Sequence, residues 1–192
     1  MASDMAQNAT IFKVTLEIAD IDRAYYHDHT LTIARHPSET DERMMVRLLA
    51  FARHADEALA FGRGLGTDDE PDLWRKDLTG AIDVWIDVGL PDERRIRRAC
   101  GRAEAVFVYS YGGRGADLWW EAAGAKLDRV VNLTVVNLPF AATQGLAKLA
   151  QRNMRLHCTM QDGQMWVADS ERSVAIEPQV LRSPDIRRQH GG

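Results

Sequence analysis

The segment AIDVWIDVG, Ala81 to Gly89, alternates apolar and polar side chains with a period of two. Ile82, Val84, Ile86 and Val88 form one face; Asp83, Trp85 and Asp87 form the other. Strict alternation over this length predicts a half-buried strand. A one-residue slip would exchange the two faces. The β-branched face is therefore expected in the main core, and the Asp83, Trp85 and Asp87 face along a partly open cleft. The same period opens the chain in ATIFKVTLEIAD, where Phe12, Val14, Leu16 and Ile18 alternate with Lys13, Thr15 and Glu17. A second strand around 30–34 follows a polar loop and is expected to pair with the first as a hairpin.

Helical spacing takes over after Pro37. Leu48, Leu49, Ala52, Ala55 and Leu59 recur with the helical period, and Glu42, Met45, Val46 and Leu49 share a face. Ser38, with Asp41 three residues on, is the expected cap. FGRGLGTDDEPDLWRKDLTG is rich in Gly, Asp and Pro and reads mostly as loop. Beyond AIDVWIDVG, the segment LPDERRIRRACGRA predicts a helix with Pro91 in its first turn. EAVFVYSY then predicts a buried strand, ADLWWEAAGAKL a helix and RVVNLTVVNLP another buried strand. Strands that alternate with helices imply crossovers and a mixed or parallel sheet.

A further helix is expected around 143–153, and RLHCTMQDGQMWVADSERSVAIEP reads as a meander with an Asp-Gly turn. Two-stranded pieces are marginal alone, so the two chain ends are expected to share a second sheet. RSPDIRRQHGG reads as a loose terminus. The fold class is α/β to α+β in a single domain, 1–192. Its core spans about 38–153, and a β-layer comes from about 9–35 and 154–178.

Composition narrows the functional classes. The chain carries 24 Lys and Arg against 28 Asp and Glu, a formal net charge of -4. No global basic field exists to hold nucleic acid, so any such site must be local. Cys100 and Cys158 read as lone thiols, without a CxxC zinc or disulfide framework. No apolar run approaches the ~18 residues of a membrane span. The N-terminus lacks the basic and apolar regions of a signal peptide. A cytoplasmic protein with no membrane partner is expected.

Candidate chemistry centres on acids. Asp83 and Asp87 lie four residues apart on a strand, about 13 Å, too far to share one ion. A hard cation such as Mg²⁺ or Mn²⁺ needs one or two carboxylates with water and substrate oxygens. Glu42 on the preceding helix and Asp72 in EPDLW are the partners by chain order; solvated or ion-paired acids are the alternative. YGGRGADLWW places a glycine turn between strand and helix, where Arg114 is able to meet a phosphate, although neither standard phosphate-loop motif is present. Arg94, Arg95, Arg97, Arg98 and Arg102 crowd one helix, as a phosphate-backbone contact or as a solvated face. His27 and His29 share a strand face but have no evident third ligand.

The blocks ATIFKVTLEIADIDR, LTIARHPSETDERMMVRLLAFARHA, FGRGLGTDDEPDLW, IDVWIDVGLPDERRIRRACGRA and DGQMWV resemble the YaeQ family of bacterial proteins, from about Ala9 to Ala175. The resemblance implies a variant of the PD-(D/E)XK nuclease fold extended by additional strands. That superfamily places an acid on one strand and acid-x-Lys on the next, with Mg²⁺ between them and a further acid often supplied by the preceding helix. Here Asp87 matches the strand acid and the lysine position is Gly89. In the other register, Asp83 matches and the lysine position is Trp85.

Either way the lysine is missing. Pro71-Asp72 matches the PD pair, and Glu39 and Glu42 match the helix acid. Superfamily members move the lysine to the following helix, where this chain has Arg95 and Arg98; arginine does not act as a base at neutral pH. The implied function is an Mg²⁺- or Mn²⁺-dependent phosphodiesterase or nuclease with a degenerate site. Glu42, Asp83 and Asp87 are its metal and catalytic candidates, with Glu39, Asp72 and Arg98 behind them. Arg94, Arg95, Arg98 and Arg114 are the candidate nucleic-acid contacts. The alternative is a non-catalytic module that binds nucleic acid or another protein, associated with transcription.

Overall fold

The computed structural model describes residues 8–63 and 69–184. The N-terminal alternation becomes β1 (Thr10–Asp20), paired antiparallel with β2 (Tyr25–Arg35) over eleven register positions. Phe12, Val14, Leu16 and Ile18 are all buried, as their period requires. β1 also pairs in parallel with β8 (Asn153–Gln161), and the meander continues through β9 (Gln164–Ala168) and β10 (Ser173–Ile176). The resulting sheet has the order β10-β9-β8-β1-β2, so the chain ends do share one sheet.

The second sheet has the order β11-β7-β6-β5-β4-β3. Its strands are β3 (Leu59–Phe61), β4 (Leu73–Lys76), β5 (Ile82–Val88), β6 (Ala103–Ser110), β7 (Leu133–Asn137) and β11 (Gln179–Arg182). β5, β6 and β7 run parallel; β3, β4 and β11 are antiparallel to their neighbours. The crossovers carry α2 (Glu93–Cys100) and α3 (Arg114–Ala123). Ile96 and Ala99 of α2 and Ala123 of α3 pack with Val106, Val108, Leu133 and Val135 on one face of the sheet. Against the other face lie α1 (Asp41–His54) and α4 (Phe140–Ala147). These two helices fill the space between the sheets.

That position explains α1. Every residue from Met44 to Ala52 is buried, because sheets cover it on both sides. β5 differs from the expectation of one open face. Val84, Ile86 and Val88 do join the larger core, but Trp85 is equally buried in the second core, against α2 and α3. Trp85 and Asp87 on that face are buried, and only Asp83 at its far end is part-exposed. Trp74 meets Trp85 edge-on and the Arg102 guanidinium lies 5.3 Å from the Trp85 ring centroid.

The other differences are local. The α1 cap is Thr40, whose hydroxyl accepts from Arg43 N at 3.1 Å; Ser38 is engaged with His36. Leu59 belongs to β3, since α1 ends at His54. The expected helix at 143–153 is α4, shifted toward Pro139, which begins it naturally. The stretch read as loop contains β4; residues 64–68 of it, and 185–192 of the expected loose terminus, lie outside the described residues.

Candidate functional site

Pro71-Asp72 enters β4 one register step beyond the pair Leu73–Ile86, which sets Asp72 against Asp87 on β5. Gly62 holds this approach: its N–H donates to the Asp72 carbonyl at 2.9 Å. A Cβ on Gly62 would lie 2.0 Å from the Pro71 carbonyl oxygen. The Asp72 carboxylate accepts the Val88 N–H at 2.7 Å on Oδ2 and Arg43 Nη2 at 2.7 Å on Oδ1. Burial pushes the Asp72 carboxyl up, and Asp87 adds to the rise. Arg43 and the Val88 N–H oppose it.

Three arginines meet these acids. Arg43 and Arg47 are one helix turn apart on α1, and both reach Glu39, which lies just before the Thr40 cap. Arg43 Nη1 donates to Glu39 Oε1 at 2.9 Å. Arg47 takes both oxygens of Glu39, Nε to Oε1 at 2.8 Å and Nη2 to Oε2 at 2.7 Å, and also bonds the Ala34 carbonyl. Arg95, one turn into α2, grips Asp87 with Nε and Nη2 at 2.9 and 2.8 Å and reaches the Glu70 carbonyl.

Arg43 Nη2 has a second acceptor, the Val88 carbonyl at 3.3 Å. One cationic nitrogen thus sits against a carboxylate and a main-chain carbonyl, with Glu39 on the neighbouring nitrogen. Oxygens of these kinds are the ligands of hard divalent cations. Here a permanently charged guanidinium takes them. Glu39, Asp72 and Asp87 have every carboxylate oxygen engaged by an N–H donor. A divalent ion would need Arg43 to leave. No group of three His, Cys, Asp or Glu side chains able to hold a metal occurs among the described residues. The arrangement does not fit Mg²⁺ or Mn²⁺ as it stands.

The acids expected from the sequence therefore separate. Asp72 and Asp87 lie near enough on neighbouring strands to interact electrostatically, Asp72 held by Arg43 of α1 and Asp87 by Arg95 of α2, and Glu39 joins Asp72 through Arg43. Glu42 faces α4, where it accepts the Thr143 hydroxyl at 2.7 Å. Asp83 lies at the far end of β5, 3.5 Å from Arg75. Arg95 is engaged by Asp87, while Arg94, Arg98 and Arg114 are exposed. His29 Nε2 lies 2.7 Å from the Tyr25 hydroxyl, and burial lowers its proton affinity. Beside the acids, burial pushes the Tyr111 hydroxyl up to about 12. Arg43, Arg47 and the Val88 carbonyl are the participants that sequence reasoning missed. The four-residue ladder Glu39, Arg43, Arg47 was the available signal for the first two.

Fold and site together define a layered α/β protein: two mixed sheets, helices between and outside them, and a buried acid cluster neutralised by arginines. A sequence model of the family described as YaeQ protein matches residues 5–178, and the chain belongs to that family. It is 44% identical over 180 residues to "Uncharacterized protein YaeQ" of Escherichia coli (strain K12) and to that of Salmonella typhi, covering 94% of this chain and 99% of each relative. The crystal structure of the YaeQ protein from Xanthomonas axonopodis pv. citri is similar at 50% identity and TM-score 0.89, covering 92% of this chain and 99% of that one. The YaeQ protein from Pseudomonas syringae is similar at 36% identity and TM-score 0.88, covering 91% and 97%. No helix among the described residues is long and apolar enough to cross a membrane.

Proposed function

We propose that this protein is a non-hydrolytic nucleic-acid-binding module on a PD-(D/E)XK nuclease-like core, in which Arg43 holds the place of a nuclease's cation. The observation that carries this reading is Arg43 Nη2 between Asp72 Oδ1 and the Val88 carbonyl. The order α1, β3, β4, β5, α2, β6 supports the core assignment: Glu39 at the entry to α1 precedes a hairpin with Asp72 just before β4 and Asp87 on β5. The absence of a lysine at Gly89 supports the loss of hydrolysis. Without it, no side chain in this cluster is free to take a proton from water.

The surface beside the cluster supports binding. β5, β6 and β7 are parallel, so their carboxyl ends share one edge, where α/β sheets usually bind ligands. That edge leads to Arg94 at the start of α2 and Arg114 at the start of α3, both exposed, with Arg98 one turn beyond Arg94. Exposed Leu90, Leu118 and Phe140 lie on the segments that leave the same edge. They favour a second reading, a protein partner seated there.

Fluorescence anisotropy with single-stranded DNA, duplex DNA and RNA tests the reading. Binding is expected to weaken with salt. Replacing Arg94, Arg98 and Arg114 by Ala should lower the log–log salt slope by about 2–3, roughly one for each phosphate left without its arginine. No strand should be cut in Mg²⁺ or Mn²⁺. Metal-dependent cleavage overturns the non-hydrolytic reading, and affinity unchanged in the triple variant overturns the nucleic-acid surface.

A further inference from the structure

A cavity of about 320 Å³ lies at the opposite end of α1, where that helix meets both sheets. Seven segments contribute to its wall: the β1–β2 loop, the last turn of α1, β3, β4, β5, β6 and the β8–β9 hairpin. This volume falls at the lower end of small-molecule sites. Leu59, Val84, Phe107 and Met160 make part of the lining apolar. The polar remainder is rich in arginine: Arg23, Arg53 and Arg75.

Two of those arginines are committed. Arg23 pairs with Asp20 at 2.5 Å and caps α1, donating to the carbonyls of Ala52 and Ala55. Arg75 lies between Asp56 at 3.7 Å and Asp83 at 3.5 Å. Arg53 is different. Among the described residues it has no salt bridge; its contacts are the Met165 sulfur at 3.9 Å and the Tyr109 hydroxyl, while Asp22 of the same wall feels its charge without forming an ion pair. Asp22, the remaining acid of the wall, accepts from Asp162 N and Gly163 N at 2.7 and 2.9 Å, which pins the hairpin turn as a rim.

Beside Arg53, His54 packs tilted against Phe107 with ring centroids 4.3 Å apart and bonds the Tyr109 hydroxyl through Nε2 at 2.7 Å. Its other ring nitrogen has no hydrogen-bond partner among the described residues. The cavity therefore combines a guanidinium with no carboxylate paired to it, a spare imidazole nitrogen and an aromatic wall.

We infer that this cavity binds a small organic oxyanion, a phosphate monoester or carboxylate on an apolar body, with Arg53 pairing the anionic head and Phe107 flanking the body. A guanidinium suits the planar, charge-assisted recognition of either head. The apolar wall excludes the hydration that would otherwise weaken the pair. The inference is independent of the acid cluster and of any nucleic-acid surface.

Calorimetric titration with phenyl phosphate, benzoate, inorganic phosphate and benzyl alcohol tests it. Phenyl phosphate or benzoate should bind at about 1 mM or tighter, inorganic phosphate more weakly, and benzyl alcohol not measurably. The stronger of the first two identifies the head group. Arg53→Met keeps the apolar stem and should weaken binding about tenfold or more. Heteronuclear NMR on the unmodified protein gives the site independently, with shifts centred on Arg53, His54 and Phe107. No binding by either oxyanion up to about 10 mM, equal affinity in Arg53→Met, or shifts centred elsewhere overturns the inference.

Discussion

Arg47→Met isolates the buried end of the arginine ladder. The side chains of Arg47 and Glu39 are 3% and 2% exposed, so the pair is sealed from water. Methionine keeps the stem and its packing but removes both donors to Glu39 and the donor to Ala34 O. Glu39 is then left with Arg43 on Oε1 and nothing on Oε2. Removing one partner of a buried ion pair costs about 3–5 kcal/mol, chiefly because the other charge stays behind. The guanidinium also lies 5.8 Å from the Phe61 ring centroid, and its removal there adds a smaller penalty.

Retention of the Arg43 bond offsets part of this, so the expected loss is about 3–4 kcal/mol. In a chain of this size that corresponds to a fall in Tm of about 10 °C. Urea denaturation at pH 7 reads it as a lower midpoint with unchanged slope. The double variant Glu39→Leu with Arg47→Met removes both charges and should recover most of the loss, to within about 1–2 kcal/mol of the native protein. A single-variant cost below about 1 kcal/mol would refute the reasoning, since only a solvated pair behaves that way. So would a double variant less stable than the single.

Asp87→Ala should destabilise by about 1–3 kcal/mol, because Asp87 is 2% exposed and leaves Arg95 without its bidentate partner; a neutral result in chemical denaturation would place the pair in solvent. Burial, with Arg53, Arg23 and Arg75 nearby, lowers His54 to about 3, so the folded state binds fewer protons than the unfolded chain between about pH 3 and 6.5. Its contribution is present above 6.5 and lost as pH falls toward 3; the midpoint-versus-pH curve of His54→Gln should be flatter over that window, and identical curves would contradict the burial of a neutral ring. Gly62→Ala forces a Cβ onto the Pro71 carbonyl and should cost about 1–3 kcal/mol, with exchange protection at the Val88 N–H reduced as Asp72 is displaced; unchanged protection and stability would mean the strand entry is free to move.

Much of the architecture was legible because periodicity reports burial. The period-two runs of β1 and β5 and the buried runs of β6 and β7 survive in the structure. β5 also shows the limit. Two aspartates and a tryptophan read as a wet face, yet α2 and α3 cover that face, Arg95 neutralises Asp87, and Trp85 is large enough to build a core there. Alternation identifies two faces and not which of them receives a second layer. Of the candidate acids, Asp87 was a leading choice and Asp72 and Glu39 secondary ones, while the leading choices Glu42 and Asp83 lie against Thr143 and Arg75. The state of these acids was not legible, because the deciding interactions cross long separations, Arg43 to Asp72 over 29 positions and Arg43 to Val88 over 45. The Glu42–Thr143 bond, across 101 positions, is beyond any local pattern.

The central claim is that Arg43 holds the place of a cation, and calorimetric titration of Mn²⁺ into the native protein and Arg43→Gln side by side tests it most directly. The native protein should give no saturable heat up to about 1 mM, because Asp72, Val88 O and Glu39 already have a resident positive charge. Arg43→Gln frees Asp72 Oδ1 and the Val88 carbonyl, while Arg47 keeps Glu39 paired, and should acquire a weak site, on the order of 0.1–1 mM, that Asp72→Asn abolishes. Circular dichroism confirms that each variant is folded. Micromolar binding of Mn²⁺ by the native protein, undiminished in Arg43→Gln, would contradict the account.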